Sequence, residues 1–239
     1  MMLEIKNFSK VYPNGKVGAN DINLNVESGD LFAFIGPNGA GKTTTIKSIV
    51  GINEITSGDI LVDGVSVKSD PMKVKSMIAY IPDNPDIYNN LTGVQYINLI
   101  ADIFRISKQD RIVRTKKYSE ILGLEKDLTT PISNYSHGMR QKLVIIASLI
   151  HEPKLLILDE PFVGLDPKAS FEVKEIMKEF CKNGGAIFFS THVLEVAEKL
   201  CNKVAIIMDG KIVKCGTMSE IKKDKSLEEV FLGVAQWKI

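Results

Sequence analysis

A glycine-rich segment near the start of the chain carries a lysine and a threonine at the spacing of a phosphate-binding loop. Residues 36–43 read Gly-Pro-Asn-Gly-Ala-Gly-Lys-Thr, which matches the pattern G-x-x-x-x-G-K-[ST]. The glycines allow the backbone to aim successive N–H groups at an anion. Lys42 then supplies a point charge for the β- and γ-phosphates of a nucleotide, and the Thr43 hydroxyl can ligate Mg²⁺.

The residues around this loop have the strand–loop–helix order that the motif requires. Leu31–Ile35 is continuously apolar and is predicted to be a buried parallel strand, and residues 44–50 are predicted to be helical. Such a helix directs the positive end of its dipole at the phosphates. A glycine-rich turn with an incidental lysine, the alternative, does not account for this order. The predicted nucleotide-binding residues of the loop are Gly36, Pro37, Asn38, Gly39, Ala40, Gly41, Lys42, Thr43 and Thr44.

Two carboxylates follow a second apolar strand much later in the chain. Leu155–Leu158 is predicted to be buried, and Asp159 and Glu160 come directly after it. Ligands of a parallel α/β sheet bind outside the carboxyl ends of its strands, so both carboxylates should reach the edge where Lys42 lies. Asp159 suits the shell of Mg²⁺, and Glu160 can polarise an attacking water as a general base. Acidic residues often end strands, so this prediction depends on the phosphate loop.

Strands and helices alternate through the rest of the chain. Apolar patterns predict further strands at 3–6, 22–26, 186–189, 204–207 and 211–214, with hairpin turns at 63–64 and 209–210. Helical spacing predicts helices at 91–104, 109–122, 168–181 and 192–200, and one from the turn at 135–138 to residue 150. This alternation indicates an α/β core with a largely parallel sheet and a helical insertion near residues 86–150.

Length, charge and composition are typical of an ordinary globular protein. The chain has 239 residues, a formal net charge of +1, 44% hydrophobic and 25% charged residues. These values fit one substantial core and give no reason to expect nucleic acid as a partner. The three cysteines form no CxxC pair, which argues against a disulfide framework and favours a reducing compartment. No run of about 18 apolar residues occurs, so another polypeptide is expected to supply any membrane-spanning part.

A third segment lies just before the acidic strand. Residues 134–142 read Asn-Tyr-Ser-His-Gly-Met-Arg-Gln-Lys. The segment resembles the signature of ABC-type ATPases, whose usual form is L-S-G-G-Q followed by basic residues. Ser136 and Gly138 match its serine and second glycine, whereas Tyr135, His137 and Met139 depart from it. Ser136 is also a good helix N-cap, so a capped helix is the alternative for the segment taken alone.

Three further positions fit the same family. Residues 162–166, after the acidic pair, resemble the D-loop and end at Asp166. His192 follows a predicted strand and resembles the switch histidine, which implies that it holds the γ-phosphate and the attacking water in line. Tyr12 matches the aromatic residue that stacks on adenine, with ordinary surface packing as the alternative.

The resemblance covers the chain from Tyr12 to at least His192 and implies the fold of the family. The expected fold is α/β, with a P-loop NTPase core and mainly parallel sheet, an N-terminal antiparallel β-subdomain and an inserted α-helical subdomain. We expect one ATPase domain over residues 1–239. Its core would cover about 1–85 and 151–239, and its helical subdomain about 86–150.

The resemblance also implies an assembly and a set of ligands. ATP and Mg²⁺ are expected to bind in a head-to-tail dimer, either a homodimer or a heterodimer with another ATP-binding subunit. In that dimer Ser136, His137 and Gly138 of one subunit close over ATP held by Lys42 of the other, and Asp166 lies at the dimer contact.

One departure from the family bears on mechanism. The strand at 79–82 should be followed by a glutamine that contacts Mg²⁺ and the attacking water, but Asp83 stands there. A carboxylate can ligate Mg²⁺ or accept a bond from water, although it cannot donate as an amide can. Asp83 is therefore expected to share the metal site with Thr43 and Asp159.

The leading functional hypothesis is a transport motor on the cytoplasmic face of the membrane. It would be peripheral and would dock on integral membrane subunits through residues 83–91, for which an ordinary loop is the alternative. A short tail ending at residues 236–239, with the variant segments at 80–83 and 135–138, favours an exporter-like subunit.

Two other hypotheses are a soluble ABC ATPase acting on ribosomes or DNA and a small-molecule kinase. The single phosphate loop and the absence of heptads and basic patches disfavour the former. The signature-like segment and His192 disfavour the latter. The sequence leaves open the transported substrate, the direction of transport and the identity of the membrane partner.

Overall fold

The computed structural model describes residues 1–236, so Trp237–Ile239 of the predicted tail lie outside the described part. The strands in chain order are β1 (Leu3–Val11), β2 (Val17–Val26), β3 (Leu31–Ile35), β4 (Ser57–Val62), β5 (Val65–Ser66), β6 (Ile78–Ile81), β7 (Leu155–Asp159), β8 (Ala186–Thr191), β9 (Lys203–Met208) and β10 (Lys211–Thr217). The helices are α1 (Lys42–Ile49), α2 (Pro71–Met77), α3 (Gly93–Ile103), α4 (Lys108–Ile121), α5 (His137–Leu149), α6 (Pro167–Lys182), α7 (Leu194–Leu200), α8 (Met218–Lys222) and α9 (Leu227–Gln236).

The larger sheet carries the predicted phosphate loop and the predicted carboxylates. Its strand order is β10-β9-β3-β8-β7-β6, and every neighbouring pair is parallel except β10 with β9. Strands β3, β7 and β8 are buried along their whole lengths. The prediction of a mainly parallel sheet is therefore confirmed, with β3 matching its predicted bounds.

Alternate residues of β3 enter two different hydrophobic cores. Phe32 and Phe34 pack on Phe188, with ring centroids 5.6 and 5.1 Å away, in a core that also includes β1, β2 and α1. Leu31, Ala33 and Ile35 enter the other core, with residues of α5 and α6. Because both faces of the strand are covered, its sequence is apolar without alternation.

The smaller sheet is antiparallel and comes from the N-terminal part of the chain. Its order is β2-β1-β4-β5, with all three pairs antiparallel. This arrangement confirms the predicted N-terminal antiparallel sheet. The observed β1 and β2 are longer than the predicted strands at 3–6 and 22–26, because bulges interrupt the pairing and with it the alternation of apolar residues.

Helices α3, α4 and α5 fill the chain between β6 and β7. Thr92 begins α3 with a capping box to Gln95, Ser107 caps α4, and Ser136 caps α5. The described elements include the predicted helical insertion, while the division of the chain into a core and a helical subdomain stays a prediction. Among residues 1–236, no helix has the length and apolarity to cross a membrane.

The predicted helix at 192–200 starts two residues later than expected. Strand β8 extends to Thr191. The hydroxyl oxygen of Thr191 accepts a hydrogen bond from the Val193 N–H at 3.1 Å. That bond holds the chain in a bend, so the helix begins only at Leu194. His192 therefore stands between a strand and a helix, outside both.

Candidate functional site

The phosphate loop connects β3 to α1 at the carboxyl edge of the larger sheet. The helix begins at Lys42, and Gly41 before it has φ 109°, a conformation that L side chains rarely adopt. A Cβ on Gly41 would also lie 2.3 Å from the carbonyl oxygen of Gly18 in β2. The loop thus needs glycine at Gly41 both for its turn and for the close approach of β2.

The ammonium of Lys42 is held over the loop. Its Nζ donates to the carbonyl oxygens of Gly36 at 2.7 Å and Pro37 at 3.2 Å, and the residue is 7% exposed. Burial lowers the pKa of Lys42, while the nearby carboxylates of Glu160 and Asp159 raise it. The lysine is therefore confined beside the two predicted acidic residues.

The Asp159 carboxylate at the end of β7 has both oxygens engaged. The Thr43 hydroxyl donates to Oδ2 at 2.9 Å, and the Ser190 hydroxyl donates to Oδ1 at 2.5 Å. The predicted pair Thr43 and Asp159 is thus brought together. Ser190 is a site residue that the sequence reasoning missed, although it is the first polar residue after the apolar part of β8.

Glu160 and His192 also meet at this edge. Nδ1 of His192 lies 2.9 Å from Oε1 of Glu160. The Glu160 backbone has φ 48°, and its N–H donates to the carbonyl oxygen of Ser190 at 3.2 Å and to the Ser190 hydroxyl at 3.3 Å. Ser190 therefore contacts both residues of the pair, through the carboxylate of Asp159 and the backbone N–H of Glu160.

A cavity of about 660 Å³ is lined by Lys42, Asp159 and Glu160, whereas His192 is not among the described residues that line it. Asp83, whose role the sequence left in question, lines it together with the loop residues. Burial raises the pKa of Tyr80, just before it, to about 12, helped by the charges of Asp159 and Asp83. The predicted site residues that line the cavity are Tyr12, Asn38, Gly39, Gly41, Lys42, Thr43, Thr44, Asp83, Asp159 and Glu160.

The oxygen donors at this edge fit a hard cation that also binds phosphate. Within residues 1–236 no group of three or more His, Cys, Asp or Glu side chains could hold a metal by itself. Mg²⁺ is commonly bound by one or two carboxylates together with substrate phosphates and waters. Thr43, Asp159 and Asp83 offer a hydroxyl and two carboxylates beside the phosphate loop, which is this kind of donor set.

The signature-like residues lie elsewhere. None of Ser136, His137 and Gly138 is among the described residues that line the cavity. The Ser136 hydroxyl accepts the Met139 N–H at 3.2 Å and so caps α5. The ring of His137 packs so closely on Gly164 that a Cβ there would lie 2.2 Å from its Cδ2.

Asp166 lies near the signature-like residues and does not line the cavity. Its carboxylate caps α6 by accepting the Ala169 N–H at 2.9 Å, and Lys142 of α5 lies 3.5 Å away. The Ala169 bond is the main reason that the pKa of Asp166 is lowered, with Lys142 contributing. One chain thus presents two separate groups, the cavity and the start of α5 with Asp166.

Known proteins resemble this chain over nearly all of its length. Residues 19–163 match the family described as ABC transporter. The ABC-type transporter ATP-binding protein EcsA of Bacillus subtilis (strain 168) is 34% identical over 236 residues, covering 97% of this chain and 95% of the relative. The lantibiotic transport ATP-binding protein SrtF of Streptococcus pyogenes is 36% identical over 231 residues, covering 96% of each. A solved structure described as the ATP-binding subunit of an ABC transporter has a TM-score of 0.94 at 34% identity, covering 98% of this chain and 100% of that one.

Proposed function

This chain belongs to the ABC transporter family as a subunit that binds and hydrolyses ATP, and we propose that it drives export through separate membrane subunits. One observation carries the proposal for its chemistry. Lys42, Thr43, Asp159 and Glu160 come from two distant parts of the chain and line one cavity at the carboxyl edge of the parallel sheet. Ligands of open α/β sheets bind at this edge.

The phosphate-binding groups divide into a cation and a set of oxygens. Lys42 would exchange its bonds to the Gly36 and Pro37 carbonyls for bonds to the β- and γ-phosphates, which are stronger acceptors because they are charged. Thr43, Asp159 and Asp83 would hold Mg²⁺, directly or through water. When bound, Mg²⁺ neutralises charge on the phosphate oxygens. Tyr12 would stack on adenine at the far end of the cavity.

The hydrolytic step would depend on Glu160. Its carboxylate lies in the cavity and can accept a proton from the water that attacks the γ-phosphate. His192, hydrogen-bonded to that carboxylate, would orient it and contact the γ-phosphate. Ser190 would keep Glu160 and Asp159 aimed in different directions, one at the water and one at the metal.

A second subunit would complete the site. The α5 N-terminus, capped by Ser136, offers N–H groups and the positive end of a helix dipole to an anion. Since Ser136, His137 and Gly138 lie outside their own cavity, we infer that they close over ATP bound by a partner in a head-to-tail arrangement. That partner can be a second copy or a homologous ATP-binding subunit.

The membrane partner would dock beside the segment at 83–91. A small cavity of about 230 Å³ adjoins it, with Pro85 and Ile87 of the segment facing Tyr96, Ile100 and Phe104. Tyr88 in the same segment is 62% exposed. The relative SrtF is named for lantibiotic transport, which supports a transport function for this chain. Export, with the chain on the cytoplasmic face of the membrane, is the form of transport that we propose.

The decisive experiment is purification of the chain from membranes under its natural expression. Transport predicts an integral membrane protein in the complex and an ATPase rate that this partner raises. The Lys42→Ala variant should lose phosphate binding while still forming the complex, because the substitution changes none of the residues 83–91 of the docking segment. Retained nucleotide affinity in that variant would contradict the assignment of the loop. Recovery with ribosomes or DNA, and no membrane protein, would favour the soluble alternative.

A further inference from the structure

The hydroxyl of Tyr12 sits between two polar side chains of other elements. Its oxygen lies 3.1 Å from Oγ1 of Thr44, in the first turn of α1. On its other side it accepts a hydrogen bond from Nδ2 of Asn53 at 3.4 Å. Asn53 follows α1 and is not itself among the residues that line the cavity.

The chemistry of these groups orders their protons. The Asn53 amide nitrogen has hydrogens and no acceptor, so it can only donate to the phenol oxygen. The phenol keeps one proton of its own, and Thr44 Oγ1, 3.1 Å away, is an acceptor to which it can donate that proton. The Thr44 hydroxyl then keeps its own proton for another acceptor. Because Thr44 lines the cavity, that acceptor can be a bound ligand.

Phosphate oxygens are acceptors only, so they bind a hydroxyl whose proton is free. We propose that Asn53 and the Tyr12 hydroxyl are positioning residues of the ATP site, because together they turn the Thr44 proton toward phosphate. The chain of bonds runs from Asn53 to Tyr12, then to Thr44, and ends on the nucleotide. This inference rests on the proposed assignment of the cavity as the ATP site.

Close packing fixes the positions of Tyr12 and Thr44 relative to each other. Gly18 of β2 lies against both members, since a Cβ there would come 2.7 Å from Thr44 Cγ2 and 2.8 Å from Tyr12 Cε2. The absence of a side chain at Gly18 is thus what allows the phenol to reach α1. Nothing in this arrangement requires the aromatic ring to contact a base, so its hydroxyl has a function separable from stacking.

The Asn53→Asp variant tests the donor-to-acceptor direction of these hydrogen bonds. A carboxylate accepts from the phenol, so the phenol must then accept from Thr44, and Thr44 would face phosphate with a lone pair. We expect ATP affinity to fall on the order of tenfold, the lower end of what a hydrogen bond to a charged group contributes. The same substitution in a Tyr12→Phe or Thr44→Val background should change ATP affinity less than twofold, because the background substitution already removes the hydrogen bond between Tyr12 and Thr44.

The two background substitutions distinguish the effect of the hydrogen-bond series on ATP affinity from the effect of the added negative charge. An Asn53→Asp effect of the same size in all three backgrounds would come from charge alone and would overturn the proposal, as would no effect in the parent protein. Asn25→Asp in β2 and Tyr118→Phe in α4 are the matched controls and should leave ATP affinity unchanged. Tyr12→Ala reports on the site itself. If it binds ATP as tightly as Tyr12→Phe does, the stacking role in the proposed function fails, while the double variants test the hydroxyl separately.

Discussion

The imidazole of His192 is hydrogen-bonded to the carboxylate of Glu160, with Nδ1 2.9 Å from Oε1. The two side chains differ in exposure, 59% for His192 and 15% for Glu160. The carboxylate is therefore the sheltered member, and the histidine covers it from the solvent side. In the proposed mechanism this arrangement orients Glu160 for proton transfer, since one oxygen is bound by the ring and the other is left for water.

Glu160→Gln should separate ATP binding from ATP hydrolysis. The amide keeps the size of the side chain but cannot accept a proton, so turnover should fall at least about 100-fold. ATP affinity should stay within about twofold, because the phosphate-binding groups are untouched, and ATP should now hold the dimer together. Phosphate release, equilibrium binding and light scattering measure these three quantities. Glu175→Gln on the surface of α6 is the control, and undiminished turnover in Glu160→Gln would remove this residue as the base.

Local patterns predicted the elements that carry the site. Strands β3 and β7 are buried on both faces, so each is a short apolar run whose end can be recognised in the sequence, at Gly36 after β3 and at Asp159 in β7. The glycine spacing of the loop likewise reflects its backbone requirements. For these reasons Lys42, Thr43, Asp159 and Glu160 could be assigned to one edge before any coordinates.

The missed residues act through contacts between distant parts of the chain. Ser190 reaches Asp159 across neighbouring strands, and Asn53 reaches Tyr12 from 41 residues away. A serine in a strand or an asparagine after a helix has no spacing that sets it apart. Gly18 looks like any glycine in an exposed strand until the packing of α1 against β2 is known.

Asp83→Asn should weaken the response to Mg²⁺. The carboxylate lines the cavity with Thr43 and Asp159, and an amide oxygen carries no net charge to hold a divalent ion. We expect the Mg²⁺ concentration for half-maximal ATPase activity to rise on the order of tenfold, which corresponds to about 1.5 kcal/mol, the lower end of what a hydrogen bond to a charged group contributes. Asp83→Gln, which restores the residue usual in the family, is the informative comparison. An unchanged Mg²⁺ titration in Asp83→Asn would show that Asp83 has no contact with metal or water.

Gly18→Ala should disturb the end of the cavity that Tyr12 lines, where adenine is proposed to bind. The added Cβ would overlap Thr44 Cγ2 and Tyr12 Cε2, so at least one of them must shift. Overpacking of this kind destabilises by about 1–3 kcal/mol. ATP affinity should fall as well, by several-fold, since both displaced side chains line the site. Urea unfolding and nucleotide titration measure the two effects.

Gly233→Ala in α9 is the matched control for that substitution. Among the residues that the structure describes, nothing lies within 4 Å of a Cβ at Gly233. Because alanine favours helix, this change should raise the free energy of unfolding by up to about 1 kcal/mol and leave ATP affinity alone. Equal effects of the two substitutions on affinity would show that Gly18 has no special place at the site.

Protonation of His151 should lower the free energy of unfolding in mild acid. Its ring stacks on Phe104 with centroids 3.8 Å apart, and its Nε2 lies 3.1 Å from the Ile78 carbonyl oxygen. Burial lowers the pKa of His151 below 6.5, with Arg114 acting in the same direction against the Ile78 bond.

Because the unfolded chain then binds the proton more readily, stability is complete above about pH 6.5 and is lost as the pH falls toward the folded pKa. One such group contributes at most about 1.4 kcal/mol per pH unit. Urea unfolding between pH 7 and pH 5 should therefore show a smaller loss of stability for His151→Gln than for the parent protein. His137→Gln, which removes an exposed histidine, is the control, and parallel pH profiles for the parent and His151→Gln would exclude His151 as the cause.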